Sequence, residues 1–364
     1  METRLMNLAR VGIAALFGTS IVTIALTQAC SNGGAPADGG ANASSARWPA
    51  EPSGPVVTGT DIHNYALRKL YLGDTSTWKK YGFDLDGKRT TAASTDVCKA
   101  AAGAPKNNQE DGDNGIDNSF GRNVMLIVAN LRQSAQADVN AALDDGKFTI
   151  MIVTKGWTPT DTAFTGKGVT AKLYAGGKFS DTGKPTWTTA DDWPVAPSLL
   201  TDPTNIDSTK IVLDKAYGVK GTFVSGSPTK VSISLSFGGI DLALDIEQAI
   251  ITMDINGASA TNGRIAGVIN AEKLIDGLRK LGGRFSPSLC QGSAIDSIAD
   301  QIRQSADMFS DGTNAAGRDC DAISVGLAFD ATEIGAPKRI AAAGATEPDP
   351  CLGDAGTDSG ADAH

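Results

Sequence analysis

The chain has 364 residues, 41% hydrophobic and 20% charged, with 42 glycines. This is a globular composition with material for two or three domains or one large β domain. Lys+Arg 32 against Asp+Glu 41 leaves a net charge of −9 with no Lys/Arg-rich run, which repels phosphate backbones and argues against nucleic acid as a partner. The two histidines are His63 and His364, so histidine-rich zinc sites drop out and a Ser-His-Asp triad has one usable base.

The first residues read as an export signal. Arg4 and Arg10 precede an apolar run from Val11 to Leu26, which is 16 residues and shorter than the roughly 20 a membrane span needs. The segment Leu26 to Cys30 (LTQAC) resembles the bacterial lipobox, in which a cysteine after a small residue becomes the lipidated N-terminus. Thr27 and Gln28 depart from its usual leucine and small residue, so an ordinary cleavage site or a short anchor is the alternative. Residues 1–29 are then a lipoprotein-type signal peptide, Cys30 the lipidation site, and 30–57 a Ser/Gly/Ala/Asn/Pro-rich tether with an r.m.s. reach of roughly 30 Å. Ser31 is not the aspartate that retains bacterial lipoproteins at the inner membrane, which points to the outer membrane.

With Cys30 lipidated, Cys98, Cys290, Cys320 and Cys351 remain, an even number in a compartment where disulfides persist. Of the three pairings, Cys290–Cys320 with Cys98–Cys351 is expected. The first brackets a helical segment and the second pins a loose tail. No CxxC occurs, so thiol redox chemistry and thiolate metal sites have no support.

Residues 58–345 form the expected globular domain. Asp61 to Gly73 reads as a short helix or turn-rich entry, and Ser134 to Asp145 as a helix with Gly146 as C-cap. Alternation then marks strands through Phe148–Ile152, Val169–Leu173 and Val219–Phe223. It is cleanest over Lys230–Ile246, where Gly238-Gly239 suits a hairpin or bulge. Ala249–Ile255 and Arg264–Ile269 continue the meander. A helix is expected over Ala271–Leu281, capped by Asn270 and ended by Gly282-Gly283. Another is expected over Ser293–Met308, then a buried strand over Ala322–Phe329. The fold class is mainly β (α+β): an antiparallel β-sandwich-like domain with a few added helices. Residues 346–364 read as an acidic disordered tail.

The chemically distinctive stretch is Gln109–Gly121 (QEDGDNGIDNSFG). Asp111, Asp113 and Asp117 sit among asparagines and glycines there, an oxygen-rich turn of the kind calcium takes. It is not an EF-hand: with Gly115 at position six, position twelve is Gly121. A polar turn whose Asx side chains bond their own backbone remains the other reading. Asp84 and Asp86 in FDLDGK make a second acidic turn that could join the same ion.

Trp187, Asp191, Asp192 and Trp193 (WTTADDWP) combine rings and carboxylates as sugar platforms do, or are simply tryptophans packed on the sheet. GxSxG, HExxH and Walker motifs are absent, and the two SxxK matches lack their companions, so no catalytic residue is assigned. His63 reads as structural. Paired acids drawn from Asp84, Asp86, Asp191 or Asp192 keep polysaccharide hydrolysis open.

The succession WKKYGFDLDGKRTT (from Trp78), DVCKAAAG (from Asp96), QEDGDNGIDNSFGRN (from Gln109), FTIMIV (from Phe148), AKLYAGG (from Ala171), WPVAP (from Trp193) and CDAISVGLAFDA (from Cys320) covers most of residues 60–335. It resembles a family of predicted secreted lipoproteins of myxobacterial type. The resemblance implies export, lipid anchoring and a domain of unassigned activity, and it transfers no catalytic residue. The expectation is an envelope lipoprotein, attached to the membrane through its anchor, that binds a glycan or an envelope protein. The alternatives are a polysaccharide hydrolase and a purely structural component.

Overall fold

The computed structural model describes residues 46–342, except 55, 58, 75, 159–160, 181–182 and 238–239, together with Cys351. The segments expected as signal peptide (1–29), Cys30, most of the expected tether and the expected tail apart from Cys351 lie outside the described residues.

The domain is mainly β, with nine antiparallel strands in one sheet and four helices. The strands are β1 (Ile62–Tyr71), β2 (Thr149–Lys155), β3 (Gly166–Gly176), β4 (Ile211–Val219), β5 (Thr222–Val224), β6 (Thr229–Phe237), β7 (Ile240–Asn256), β8 (Ser259–Asn270) and β9 (Ala322–Glu333). Their order is β5-β4-β3-β2-β1-β9-β8-β7-β6, and β5 also pairs β7. The β5–β7 pairing therefore closes eight of the strands into a ring around the main core, with β6 added to β7. The 17-residue β7 makes this possible, because its first half pairs β6 while Thr252–Asp254 pair β5.

Alternation places Ile150, Ile152, Leu173, Leu244, Ile265 and Leu327 in the main interior cluster. Each such side chain contributes roughly 1.5–3 kcal/mol when removed from water. The helices α1 (Met125–Leu131), α2 (Ala135–Asp144), α3 (Ala271–Phe285) and α4 (Ser293–Gln304) are added to this sheet. No helix among the described residues is long and apolar enough to cross a membrane.

Within Asp61–Gly73 the chain forms the strand β1 (Ile62–Tyr71) and not a helical entry. Its Tyr65, Ala66 and Leu67 are all buried because both faces are covered: Tyr65 and Leu67 join the main core, and Ala66 joins a second cluster with Met151, Trp187 and Trp193. Burial on both sides removes the polar–apolar alternation that marks a half-exposed strand. The α3 helix also runs through Gly282-Gly283 to Phe285. A Cβ at Gly282 would lie 2.7 Å from the Leu289 carbonyl oxygen, so this glycine serves close packing and not termination. The N-cap is as expected, with Asn270 Oδ1 accepting from Lys273 N at 3.1 Å. The α4 helix stops at Gln304, and Met308 instead bridges Ala322.

The disulfides are Cys98–Cys320 and Cys290–Cys351, not the expected pairs. Cys98 cannot serve the tail, because the chain beside it is bonded to the approach to β9: Lys99 N donates to Arg318 O and Cys320 N donates to Lys99 O, both at 2.9 Å. Cys290, after α3, is left for Cys351, with the two Cα atoms 5.0 Å apart.

Candidate metal centre

The acid-rich segment folds into a tight knot because its glycines allow it. Asp113–Gly115 is one 3₁₀ turn, in which Asn114 takes φ +60 and Gly115 φ +86. A Cβ on Gly115 would approach the Lys88 carbonyl oxygen to 2.6 Å, so the turn requires glycine. The chain then doubles back, Gly112 N donating to Ile116 O at 2.8 Å. Asp117 N donates to Phe83 O at 3.0 Å, which lays the FDLDGK turn against the knot.

That contact brings three carboxylates together. Oxygens of Asp84, Asp86 and Asp117 all lie within 4.8 Å of one another. Oxygens bound to one calcium at 2.3–2.6 Å are separated by no more than about 4.6–5.2 Å, so the three are close enough to share an ion. Backbone amides orient them: Leu85 N donates to Asp117 Oδ2 at 2.6 Å, Gly87 N to Asp84 Oδ1 at 2.6 Å, and Lys88 N to Asp86 Oδ1 at 2.8 Å. The second oxygen of Asp86 is buried with no hydrogen-bond partner within 3.5 Å, while the Asn314 side chain acts on this carboxyl to lower its pKa. Thr90, 5% exposed, also buries an unpartnered hydroxyl, and its backbone amide donates to Asp111 Oδ2 at 2.5 Å.

Two further acids crowd this group. Asp111 and Asp307 both act electrostatically on Asp117. Asp307 is held by Ser324, whose amide donates to Oδ1 at 2.8 Å and whose hydroxyl donates to Oδ2 at 2.5 Å. Burial, followed by mutual repulsion, pushes Asp117 well above the usual carboxylate range. Asp111 is pushed up to about 8, chiefly by burial and further by the charges of Asp86 and Asp307. Burial takes Asp307 to about 7 against the opposing Ser324 bonds. Asp84 and Asp86 are raised by burial as well, opposed by backbone amides and by the Arg47 charge. Five carboxyls in so small a volume cannot all ionise without protons or a cation to offset them.

Of the acids marked in the sequence, Asp111 and Asp117 belong to the cluster, and Asp84 and Asp86 join it from the neighbouring turn. Asp113 heads the turn and is exposed. Asp307 was not marked, because it lies 190 positions beyond Asp117 after α4 and no local motif surrounds it. Its one sequence signal is a lone acid in an apolar run (Ala306, Met308, Phe309), a weak one.

Comparison with family models, curated proteins and solved structures finds no match.

The tryptophan segment is a packing element. Trp187 and Trp193 are 8% and 0% exposed, and their ring centroids lie 5.2 Å apart inside the second cluster. Neither ring can stack on a sugar, which corrects the platform reading. Asp191 closes the loop by accepting from Thr186 N at 3.1 Å, Thr186 Oγ1 at 2.9 Å and Trp187 N at 2.6 Å. Asp192 Oδ1 accepts from Lys338 N at 3.0 Å. Both acids are thus committed to local structure. His63 Nδ1 lies 2.6 Å from Glu333 Oε1, tying β1 to β9.

Proposed function

We propose that the chain is an exported, lipid-anchored envelope protein whose β domain is a non-enzymatic binding module closed by calcium at the Asp84/Asp86/Asp117 knot. The observation that carries the reading is the convergence of three carboxylates around a buried Asp86 oxygen with no hydrogen-bond partner within 3.5 Å. Hard, all-oxygen donors on a turn suit calcium, and extracellular modules commonly bind it at 10⁻⁴–10⁻³ M. Two disulfides agree with a compartment outside the cytoplasm. Lipidation at Cys30 and outer-membrane placement rest on the sequence alone.

Thermal unfolding with millimolar calcium and with excess EDTA tests the reading. Calcium at tenfold its Kd stabilises by about 1.4 kcal/mol, and Asp86→Ala abolishes the shift. An unchanged wild-type melt in EDTA removes the ion. Mass spectrometry of the envelope fraction checks the anchor, with an acylated N-terminal Cys30 as the expected species.

The hydrolase alternative, drawn from Asp84, Asp86, Asp191 or Asp192, keeps the close pair Asp84 and Asp86, with the raised carboxyl of Asp111 beside them as a general acid. Release of reducing ends that disappears in Asp111→Asn would favour it.

A further inference from the structure

A cleft of about 410 Å³ lies between the start of α3, the end of α4 and residues 99–102, and Cys320 lines it. Its cations are already compensated, Lys99 by Asp319 at 3.5 Å and Arg303 by Glu272 at 2.6 Å. What distinguishes the cleft is therefore its sulfur. Cys320 is half-buried and its bridge partner Cys98 is 2% exposed, so a reagent in the cleft meets Cys320 first.

We infer that Cys98–Cys320 is a site of thiol–disulfide exchange, opened by a dithiol donor, whose state sets the calcium affinity of the knot. The inference rests on the calcium reading of the knot and names its regulation. The donor's thiolate attacks Cys320 Sγ, a mixed disulfide forms, and Cys98 leaves as a thiolate that takes up a proton. The donor's second thiolate then attacks the donor sulfur of the mixed disulfide and releases Cys320, which is protonated in turn. Two electrons and two protons have passed to the bridge, and the donor is left as a disulfide. Gln109 Nε2 is in place for the departing sulfur, 3.7 Å from Cys98 Sγ and 3.0 Å from Cys320 Sγ.

Two side chains carry the state of the bridge to the carboxylates. Cys98 N donates to Asn314 Oδ1 at 2.7 Å, and Asn314 Nδ2 donates to Asp307 O at 3.1 Å, both bonds buried. The same Asn314 side chain acts on the Asp86 carboxyl. Gln109 Nε2 also donates to Cys98 O at 3.0 Å, and Gln109 lies two residues before Asp111. With the bridge closed, the chain at Cys98 holds Asn314 and Gln109 in one arrangement, and the acids beside them. With the bridge open that brace is lost, and calcium must order groups that the bridge had held. The coupling is reciprocal: if reduction weakens calcium binding tenfold, saturating calcium lowers the reduction potential of the bridge by about 30 mV.

The test is redox titration of the full chain in dithiothreitol buffers, with excess calcium chloride and with EDTA. Thiol trapping and peptide mapping follow each bridge separately. The midpoint of Cys98–Cys320 is expected to fall by about 30 mV or more in calcium, while that of Cys290–Cys351 stays in place. In Asn314→Ala, which keeps both bridges, the calcium-dependent shift is expected to shrink by about half or more. If that variant does not fold, Gln109→Ala carries the same expectation. The inference is overturned by equal midpoints in calcium and EDTA on a chain that binds calcium. Equal shifts of both bridges, the mark of global unfolding, overturn it as well, as does a folded variant that shifts as the wild type does. Calcium titration of the oxidised chain separates the two readings. No binding there removes the ion from the knot and this regulation with it, whereas binding that reduction leaves unchanged removes the regulation alone.

Discussion

Asn118 and Gly326 are joined twice through one side chain. Gly326 N donates to Asn118 Oδ1, and Asn118 Nδ2 donates to Gly326 O, each at 3.0 Å. The side-chain amide thereby occupies the place of a neighbouring strand along β9, beside the acidic knot. The same Nδ2 also reaches Trp78 O at 3.2 Å and Tyr81 O at 3.1 Å. Gly326 allows the approach, since a Cβ there would come within 2.2 Å of Tyr81 O. Asn118→Ala strands at least two buried backbone groups, at about 1–3 kcal/mol each, and is expected to destabilise by about 3 kcal/mol or more. Urea unfolding measures the loss, and the calcium shift should shrink in the same variant.

In EDTA the stability should fall as pH rises. Asp111 and Asp307 have folded pKa values raised to about 8 and about 7, so above an unfolded value near 3.9 the folded chain holds more protons than the unfolded one. The decline begins near pH 4 and levels off once pH passes the folded values. Asp138 and Asp311, held low by hydrogen bonds to Arg132 and Thr313, contribute in the opposite sense only below about pH 4. Melting temperatures should therefore drop between about pH 5 and pH 8, and Asp111→Asn should flatten the slope. Calcium should restore most of the loss at the alkaline end, because it replaces the protons.

Peptide mapping without reduction should return Cys98 linked to Cys320 and Cys290 linked to Cys351. The bridges span 222 and 61 residues, so each should stabilise by roughly 4–5 kcal/mol if the unfolded-chain entropy model holds. Cys98→Ala/Cys320→Ala should lower the melting temperature more than Cys290→Ala/Cys351→Ala, since it also frees the turn that carries Lys99 beside β9.

Trp193→Ala removes a fully buried ring from the second cluster and is expected to cost about 3–5 kcal/mol. Acrylamide should quench the tryptophan emission weakly, and Trp193→Phe should retain more stability than the alanine variant. Free sugar should leave the Trp187 and Trp193 signals unquenched.

Regular alternation made β6 and β7 legible in the sequence, and the spacing of Leu274, Ile275 and Leu278 did the same for α3. The β6 strand, the first half of β7 and α3 bury one face and expose the other, so their pattern carries the fold. The β1 strand was hidden because Ala66 and Tyr65 are buried on opposite faces, which erases alternation. In the knot, Asp111, Asp117, Asp84 and Asp86 announced themselves as clustered acids on glycine turns. Asp307 reaches them only through its bonds to Ser324 on β9, a relation between distant segments that no local window contains. The cysteine pairing failed for a similar reason: it was judged from intervals along the chain, whereas the Lys99–Arg318 contact decides it.

The β5–β7 pairing has a consequence for association between copies of the chain. Eight strands have neighbours on both sides, and among the described residues β6 alone has a single partner, β7. An unpaired strand margin is the usual template on which chains stack into fibrils. With β5 paired to β7, the outer margin of β6 is the one strand edge among the described residues on which another copy of the chain could add a strand.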